Sequence, residues 1–324
     1  MSASEELEKV FANVSVAKEW YKSPFTSSKE LQLTKRGEIE AYFDGLRCRK
    51  RYAKFWDGVK YDPEVIKFQS TQNSRNGASL MAFSEGLFNG KGHLDICKSQ
   101  PIYYSTTPLF QDYELYMFSS CRRWNETVRN NKLRDEQIYA YGNKTLAPIA
   151  KRLSERYDIN PPLEPRLMPH IFNNCHFWLT VFNRTDTWCS LLSPKELILT
   201  RYYWDLNNYY LYLYGHPLNT RLGCRYLTQL VNEVEGYLNG NSSMKADLRN
   251  AHGFTLSILL IHWSSTLYYE IYTCSKDRVF IRVVFNFKPF LIPGCESEYC
   301  EWNKFKEILG DKIGCDIEKM CEYP

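Results

Sequence analysis

A chain of 324 residues that is 44% apolar, 15% aromatic and 24% charged can bury a large core, and it is neither disordered nor collagen-like. Its net charge of +4 is small and scattered, which excludes the basic footprint of a nucleic-acid binder. No apolar window reaches the roughly 18 residues of a membrane span.

Eleven cysteines, with Cys295, Cys300, Cys315 and Cys321 in the last thirty residues, lack the CxxC or histidine spacing of metal sites. They are expected to form disulfides of undetermined pairing, with no metal or cofactor. Five Asn-x-Ser/Thr sites, at Asn13, Asn125, Asn143, Asn183 and Asn241, point with them to the secretory pathway, the endoplasmic reticulum lumen or the cell exterior. The N-terminal residues Met1-Ser-Ala-Ser-Glu-Glu-Leu-Glu-Lys9 have neither the basic start nor the apolar stretch of a signal peptide. The expectation is therefore a chain that lacks its beginning, and the odd cysteine count agrees.

The first predicted helix covers residues 33–52, with Thr34 as N-cap candidate and basic residues in its last turns, where they suit the helix dipole. Alternation over Val65 to Ser70 predicts a strand, Asn73 to Gly77 a break, and Ala78 to Phe88 a helix. From about 91 to 224 helical spacing dominates. Leu146, Ile149, Ala150, Leu153 and Tyr157 form one stripe, and the prolines at 161, 162 and 165 then force an extended connector.

Ser193-Pro194-Lys195-Glu196 is a capping box that starts a helix ending at Gly215, with a stripe of Leu199, Tyr203, Leu206, Tyr210 and Leu213. Its tyrosines fit core or interface packing, and the basic runs Arg47 to Arg51 and Arg122-Arg123 fit solvated helix ends. Leu227, Leu230, Val231, Val234 and Leu238 predict a further helix before Gly240. A short strand over Ala246 to Ala251 then leads into the apolar run Leu256 to Trp263, the length of a buried helix. Last, Tyr269, Ile271 and Thr273 alternate, as do Val279, Ile281, Val283 and Phe285 across the turn Ser275-Lys276-Asp277, which predicts a hairpin. Strand-helix units at both ends of a helical stretch predict an α/β core of residues 1–90 and 225–324 around a mainly helical insertion, 91–224.

The chemistry concentrates at Asn250-Ala251-His252-Gly253-Phe254-Thr255-Leu256, where a histidine stands at a strand-to-helix junction. Backbone N–H groups converge at such a junction, and it suits an anion such as phosphate.

Several segments, taken in order, resemble the histidine acid phosphatases and among them the multiple inositol polyphosphate phosphatases. Leu33-Thr34-x-x-Gly37 with Gly45-Leu46-Arg47 and Arg51-Tyr52 is similar to the helix after the family's first strand. Phe68-x-Ser70-Thr71, with Arg75-x-x-x-Ser79-x-x-x-Phe83-x-x-Gly86-Leu87, resembles the segment carrying a phosphate-binding arginine. Cys175, Thr187-Trp188-Cys189-Ser190-Leu191-Leu192 and Asn219-Thr220-Arg221-Leu222-Gly223-Cys224 look like the inositol polyphosphate branch, and Asn286-Phe-Lys-Pro289 with Pro293-Gly294-Cys295 is similar to the family's last strand and tail.

The resemblance runs from about residue 30 to 321 and implies a central sheet flanked by helices with a helical insertion. It also implies inositol polyphosphates or other phosphomonoesters as ligands. In the family a histidine of an early Arg-His-Gly-x-Arg motif takes the phosphoryl group, arginines and a second histidine stabilise its charge, and an acid beside that histidine protonates the leaving alcohol. The resemblance makes Arg75 and His252 the substrate-binding pair, with His252 the remnant of the catalytic set.

Two departures follow. No Arg-His-Gly occurs in the chain, so the nucleophile, two arginines and a first core strand are expected to be absent. Phe254 stands where the branch carries its acid. The expectation is a catalytically incomplete phosphatase, with a pseudophosphatase that binds or scaffolds as the alternative; its oligomeric state is left open.

Overall fold

The computed structural model describes residues 3–24, 31–94, 96, 98–259, 266–274 and 278–322. It divides into two units, residues 1–34 with 130–211 and residues 35–129 with 212–324.

The first unit is helical. The stripe of Leu146, Ile149, Ala150 and Leu153 forms its core with Leu7 and Phe11 of the helix Ala3–Phe11, and with Met168 and Ile171 of the helix Met168–Phe182. Trp188 is fully buried and meets the rings of Phe11 and Trp20 edge-on at 5.1 and 5.2 Å. The disulfide Cys175–Cys189 closes this corner. The predicted capping box is present: the Ser193 N–H donates to Glu196 Oε2 at 2.8 Å, and the Glu196 N–H donates to Ser193 Oγ at 3.3 Å. It starts the helix Pro194–Tyr212, whose Leu199 and Tyr203 pack on the core as the stripe requires.

The second unit carries the sheets. Strands β1 (Ile66–Thr71), β2 (Ser105–Thr107) and β3 (Ala246–Asn250) form a parallel sheet in the order β2-β1-β3. Strands β4 (Leu267–Cys274), β5 (Arg278–Phe285), β6 (Lys288–Phe290) and β7 (Cys300–Glu301) form a second, antiparallel sheet. The predicted hairpin is β4–β5, with Tyr269 opposite Val283, Ile271 opposite Ile281 and Thr273 opposite Val279. Its turn at residues 275–277 lies outside the described residues, as do residues 260–263 of the apolar run; the helix there is described as Gly253–Leu259.

Two readings of local structure are corrected. The helix before β2 runs Ser74–Phe88, so the expected break at Asn73 to Gly77 is its first turn. Gly77 is buried there, and an added Cβ would press on the Tyr104 hydroxyl at 3.2 Å, so the glycine answers to packing and does not break the chain. Strand β2, only three residues long, falls inside the stretch that reads as helical.

The two faces of the parallel sheet differ in chemistry because side chains alternate along a strand. Ile66, Phe68 and Leu248 face an apolar cluster with Leu80 and Leu87 of the helix Ser74–Phe88 and Cys48 of the helix Lys35–Arg51. Lys67, Asp247 and Arg249 face an ionic layer instead. Arg249, 8% exposed in its side chain, pairs with Glu114 at 2.5 Å, Asp247 at 2.6 Å and Glu233 at 3.1 Å.

The helices Lys35–Arg51 and Ser74–Phe88 touch through glycine. A Cβ on Gly45 would run into the Phe83 carbonyl oxygen, and one on Gly86 into the Tyr42 carbonyl oxygen. Backbone cannot step aside as a flexible side chain can, so both positions demand glycine for close approach. Gly45→Ala or Gly86→Ala is expected to cost about 1–3 kcal/mol, read as a lowered urea midpoint. Gly236→Ala, in the helix Cys224–Leu238, would meet only Ser242 Cβ at 3.6 Å and is expected to be neutral or stabilising by up to about 1 kcal/mol.

Candidate anion site

Parallel pairing of β1 with β3 sets Ser70 opposite Asn250, so the two strands end level. Beyond those ends the chain starts the helix Ser74–Phe88 on one side and the helix Gly253–Leu259 on the other. The chain leaves β1 toward β2, whereas β3 lies on the opposite flank of β1; ligands of open α/β sheets bind at such carboxyl-end crevices.

The two residues read from the sequence lie on these two segments, His252 after β3 and Arg75 at the start of the helix Ser74–Phe88. His252 is half-buried in the link between β3 and its helix, and its carbonyl accepts the Thr255 N–H at 3.0 Å. Its Nε2 lies 3.2 Å from Asn73 Nδ2 and 3.3 Å from Thr71 Oγ1. With the Asn73 amide donating, Nε2 is the acceptor, and the neutral ring then carries its proton on Nδ1. Tyr116 covers the ring at 4.7 Å between centroids. Thr255 fixes that cover by donating its hydroxyl to the Leu115 carbonyl at 2.6 Å.

Arg75 lies in the first turn of the helix Ser74–Phe88, close enough for its charge to act on His252, and among the described residues no carboxylate pairs with it. Asn73, the residue before that helix, makes no side-chain cap, because its amide is turned to His252. The N–H groups of Ser74 and Arg75 therefore remain without partners among the described residues, at the positive end of a 15-residue helix. Asn76, one turn in, ties this end to β3 by donating to Asn250 Oδ1 at 3.1 Å.

Burial first, and the Arg75 charge second, hold the His252 imidazole down at about 4 against an ordinary 6.5. The ring is neutral at pH 7, and the cationic character of the site rests on Arg75 and the helix end. Such an arrangement can hold a phosphate dianion by charge and by N–H donors.

Phe254, two residues after His252, is engaged by other aromatic rings. Its ring stacks on Tyr212 at 4.2 Å and meets Phe118 edge-on at 5.9 Å. Tyr212 in turn stacks on Trp124 at 5.8 Å, so position 254 belongs to an aromatic cluster.

Sequence reasoning singled out His252 and Arg75 but not Asn73, Tyr116 or the tie of Thr255 to Leu115. Asn73 carried a usable signal as an N-cap residue type one place before a helix start; Tyr116, 136 positions before its partner histidine, carried none.

Among the described residues no group of three or more His, Cys, Asp or Glu is placed to hold a metal ion, and no helix is long and apolar enough to cross a membrane.

Comparison with known proteins gives the family and the fold. The family model described as "Histidine phosphatase superfamily (branch 2)" matches residues 6–256. A Dictyostelium discoideum multiple inositol polyphosphate phosphatase 1 is 31% identical over 222 residues, 68% of this chain; the chain spans only 35% of that relative's length. The crystal structure of the phytase from D. castellii superposes with a TM-score of 0.75 at 15% identity, covering 98% of this chain and 77% of that one. A Bifidobacterium longum multiple inositol polyphosphate phosphatase, solved with inositol hexasulfate, gives 0.68 at 12% identity, covering 97% and 84%.

The unfolded chain protonates its histidine near 6.5 and the folded chain only near 4, so this group lowers stability as pH falls through that window and leaves it unchanged above. In an NMR titration His252 is expected to titrate near 4 in the free chain and to move upward when inorganic phosphate is added, because a bound dianion favours imidazolium. A free-chain value at or above 6.5 would contradict the burial and the influence of the Arg75 charge.

Proposed function

Because this chain belongs to the histidine phosphatase superfamily, branch 2, we propose that it binds the phosphate groups of inositol polyphosphates or related phosphomonoesters, and that as a 324-residue chain it does not turn them over. Arg75, with no carboxylate partner among the described residues, acts by its charge on a neutral His252 beside an uncapped helix end, and this carries the binding half of the reading. The substrate class follows the named relatives, a multiple inositol polyphosphate phosphatase among them.

The second half rests on what the reaction requires. In the family's chemistry a histidine nitrogen attacks phosphorus, the P–O bond to the alcohol breaks, and the departing alkoxide takes a proton from an acid; water then releases the phosphate from the histidine. An alkoxide is a poor leaving group, and a positioned acid contributes about 10²–10⁴-fold. Phe254 stands at that position with its ring engaged by Tyr212 and Phe118. No histidine in the chain follows an arginine and precedes a glycine. Recognition without chemistry is the function we assign.

The reading extends to an oxidising compartment. Among the described residues the disulfides Cys121–Cys321, Cys175–Cys189, Cys224–Cys315 and Cys295–Cys300 support it, as do exposed acceptor asparagines at 13, 143, 183 and 241.

Calorimetric titration with phytate, run beside a phosphate-release assay, tests both halves. The chain is expected to bind without releasing phosphate, and Arg75→Ala to weaken binding about tenfold or more, the worth of a charge-assisted contact. Phe254→Glu is expected to restore no turnover and to lower the melting temperature, since it places a carboxylate in an aromatic cluster. Steady phosphate release by the unaltered chain, lost in His252→Ala, would overturn the proposal.

A further inference from the structure

Asparagine precedes the helices Ser74–Phe88 and Lys132–Tyr141, and it behaves differently at each. Asn131 caps its helix in the ordinary way, its side-chain oxygen accepting the Arg134 N–H at 3.3 Å. Asn73 has the extended backbone of a cap, and its carbonyl accepts the Asn76 and Gly77 N–H groups at 3.1 and 3.0 Å. Its side chain nevertheless caps nothing. A lost cap weakens a helix, so the partner that takes this side chain must matter to the chain in another way.

That partner is His252. The Asn73 amide nitrogen, 3.2 Å from Nε2, can only donate. The Thr71 hydroxyl, 3.3 Å from the same nitrogen, can donate or accept and would serve either tautomer. Asn73 therefore decides where the imidazole proton sits. With Nε2 accepting, the proton is held on Nδ1, which is bonded to no described residue.

We propose that Asn73 is a positioning residue of the anion site: its diverted side chain presents the His252 proton on Nδ1 and leaves the first-turn N–H groups of Ser74 and Arg75 uncapped. One side chain thus sets the donors on both sides of the crevice. All of them are donors, and they suit the oxygens of a tetrahedral dianion, which only accept. Asn131 shows what the same residue type does where no histidine claims it. The proposal rests on the phosphate reading and deepens it, because Asn73 gives up helix stability for ligand recognition.

Nitrogen-15 NMR of the histidine side chains, with His252 assigned from His252→Ala, reads the tautomer in the ligand-free chain at pH 7. The unaltered chain is expected to hold His252 in the Nδ1–H form. Asn73→Ser is expected to populate the Nε2–H form beside it without loss of melting temperature, since serine restores the cap. Calorimetric titration with inorganic phosphate is expected to show affinity weaker by about tenfold or more in Asn73→Ser, because a charge-assisted donor is lost and the serine competes for the helix N–H groups. Asn73→Ala, which frees the proton but adds no cap, is expected to fall between the two. An unchanged tautomer in Asn73→Ser, or phosphate bound as tightly as by the unaltered chain, would overturn the assignment. Failure of the unaltered chain to bind phosphate, with the tautomer moved all the same, would sink the phosphate reading and with it the ligand half of this assignment.

Discussion

The pairing of β1 with β3 is the constraint on which the site depends. Parallel register sets Ser70 against Asn250, and only because the two strands end level does the link after β3 deliver His252 to the Thr71 hydroxyl and the Asn73 amide. A slip of one residue would turn every side chain of β3 to the other face, moving Leu248 from the apolar cluster into the ionic layer and Arg249 into hydrocarbon. Register is therefore fixed twice over, by hydrophobic burial on one face and by ion pairing on the other.

That ionic layer is poor evidence for stability and good evidence for specificity of this arrangement. Desolvating Arg249 with three carboxylates costs much of what their attraction returns. Removing a single partner would leave an uncompensated charge, so the layer tolerates one geometry and rejects its neighbours. Glu114 serves both ends of this logic. It pairs with Arg249, and two residues later Tyr116 covers the His252 ring, so the ionic layer and the surroundings of His252 share one short segment.

Much of the secondary structure was legible because its causes are local. The capping box at Ser193 and Glu196, the stripe from Leu146 to Leu153 and the alternation on both arms of the hairpin are short-range patterns. The failures share a cause as well. Gly77 reads as a breaker by propensity and is instead a buried helix residue selected by its neighbour Tyr104, while β2 is too short to show a period. His252 and Arg75 were legible as residues, through their junction and their motif frame, but not as a geometry.

By itself the sequence determined which groups are present: a histidine and an arginine in phosphatase-like frames, a phenylalanine two residues after that histidine, and the cysteines of the disulfides. These are matters of composition and short spacing, and folding cannot alter them. Only the tertiary structure decided that the Asn73 amide is turned to His252, that Tyr116 covers its ring, that burial and the Arg75 charge leave that imidazole neutral, and that Phe254 is held by Tyr212. Each of these couples residues that are tens to well over a hundred positions apart, and such pairs meet only when strand register and helix packing bring them together.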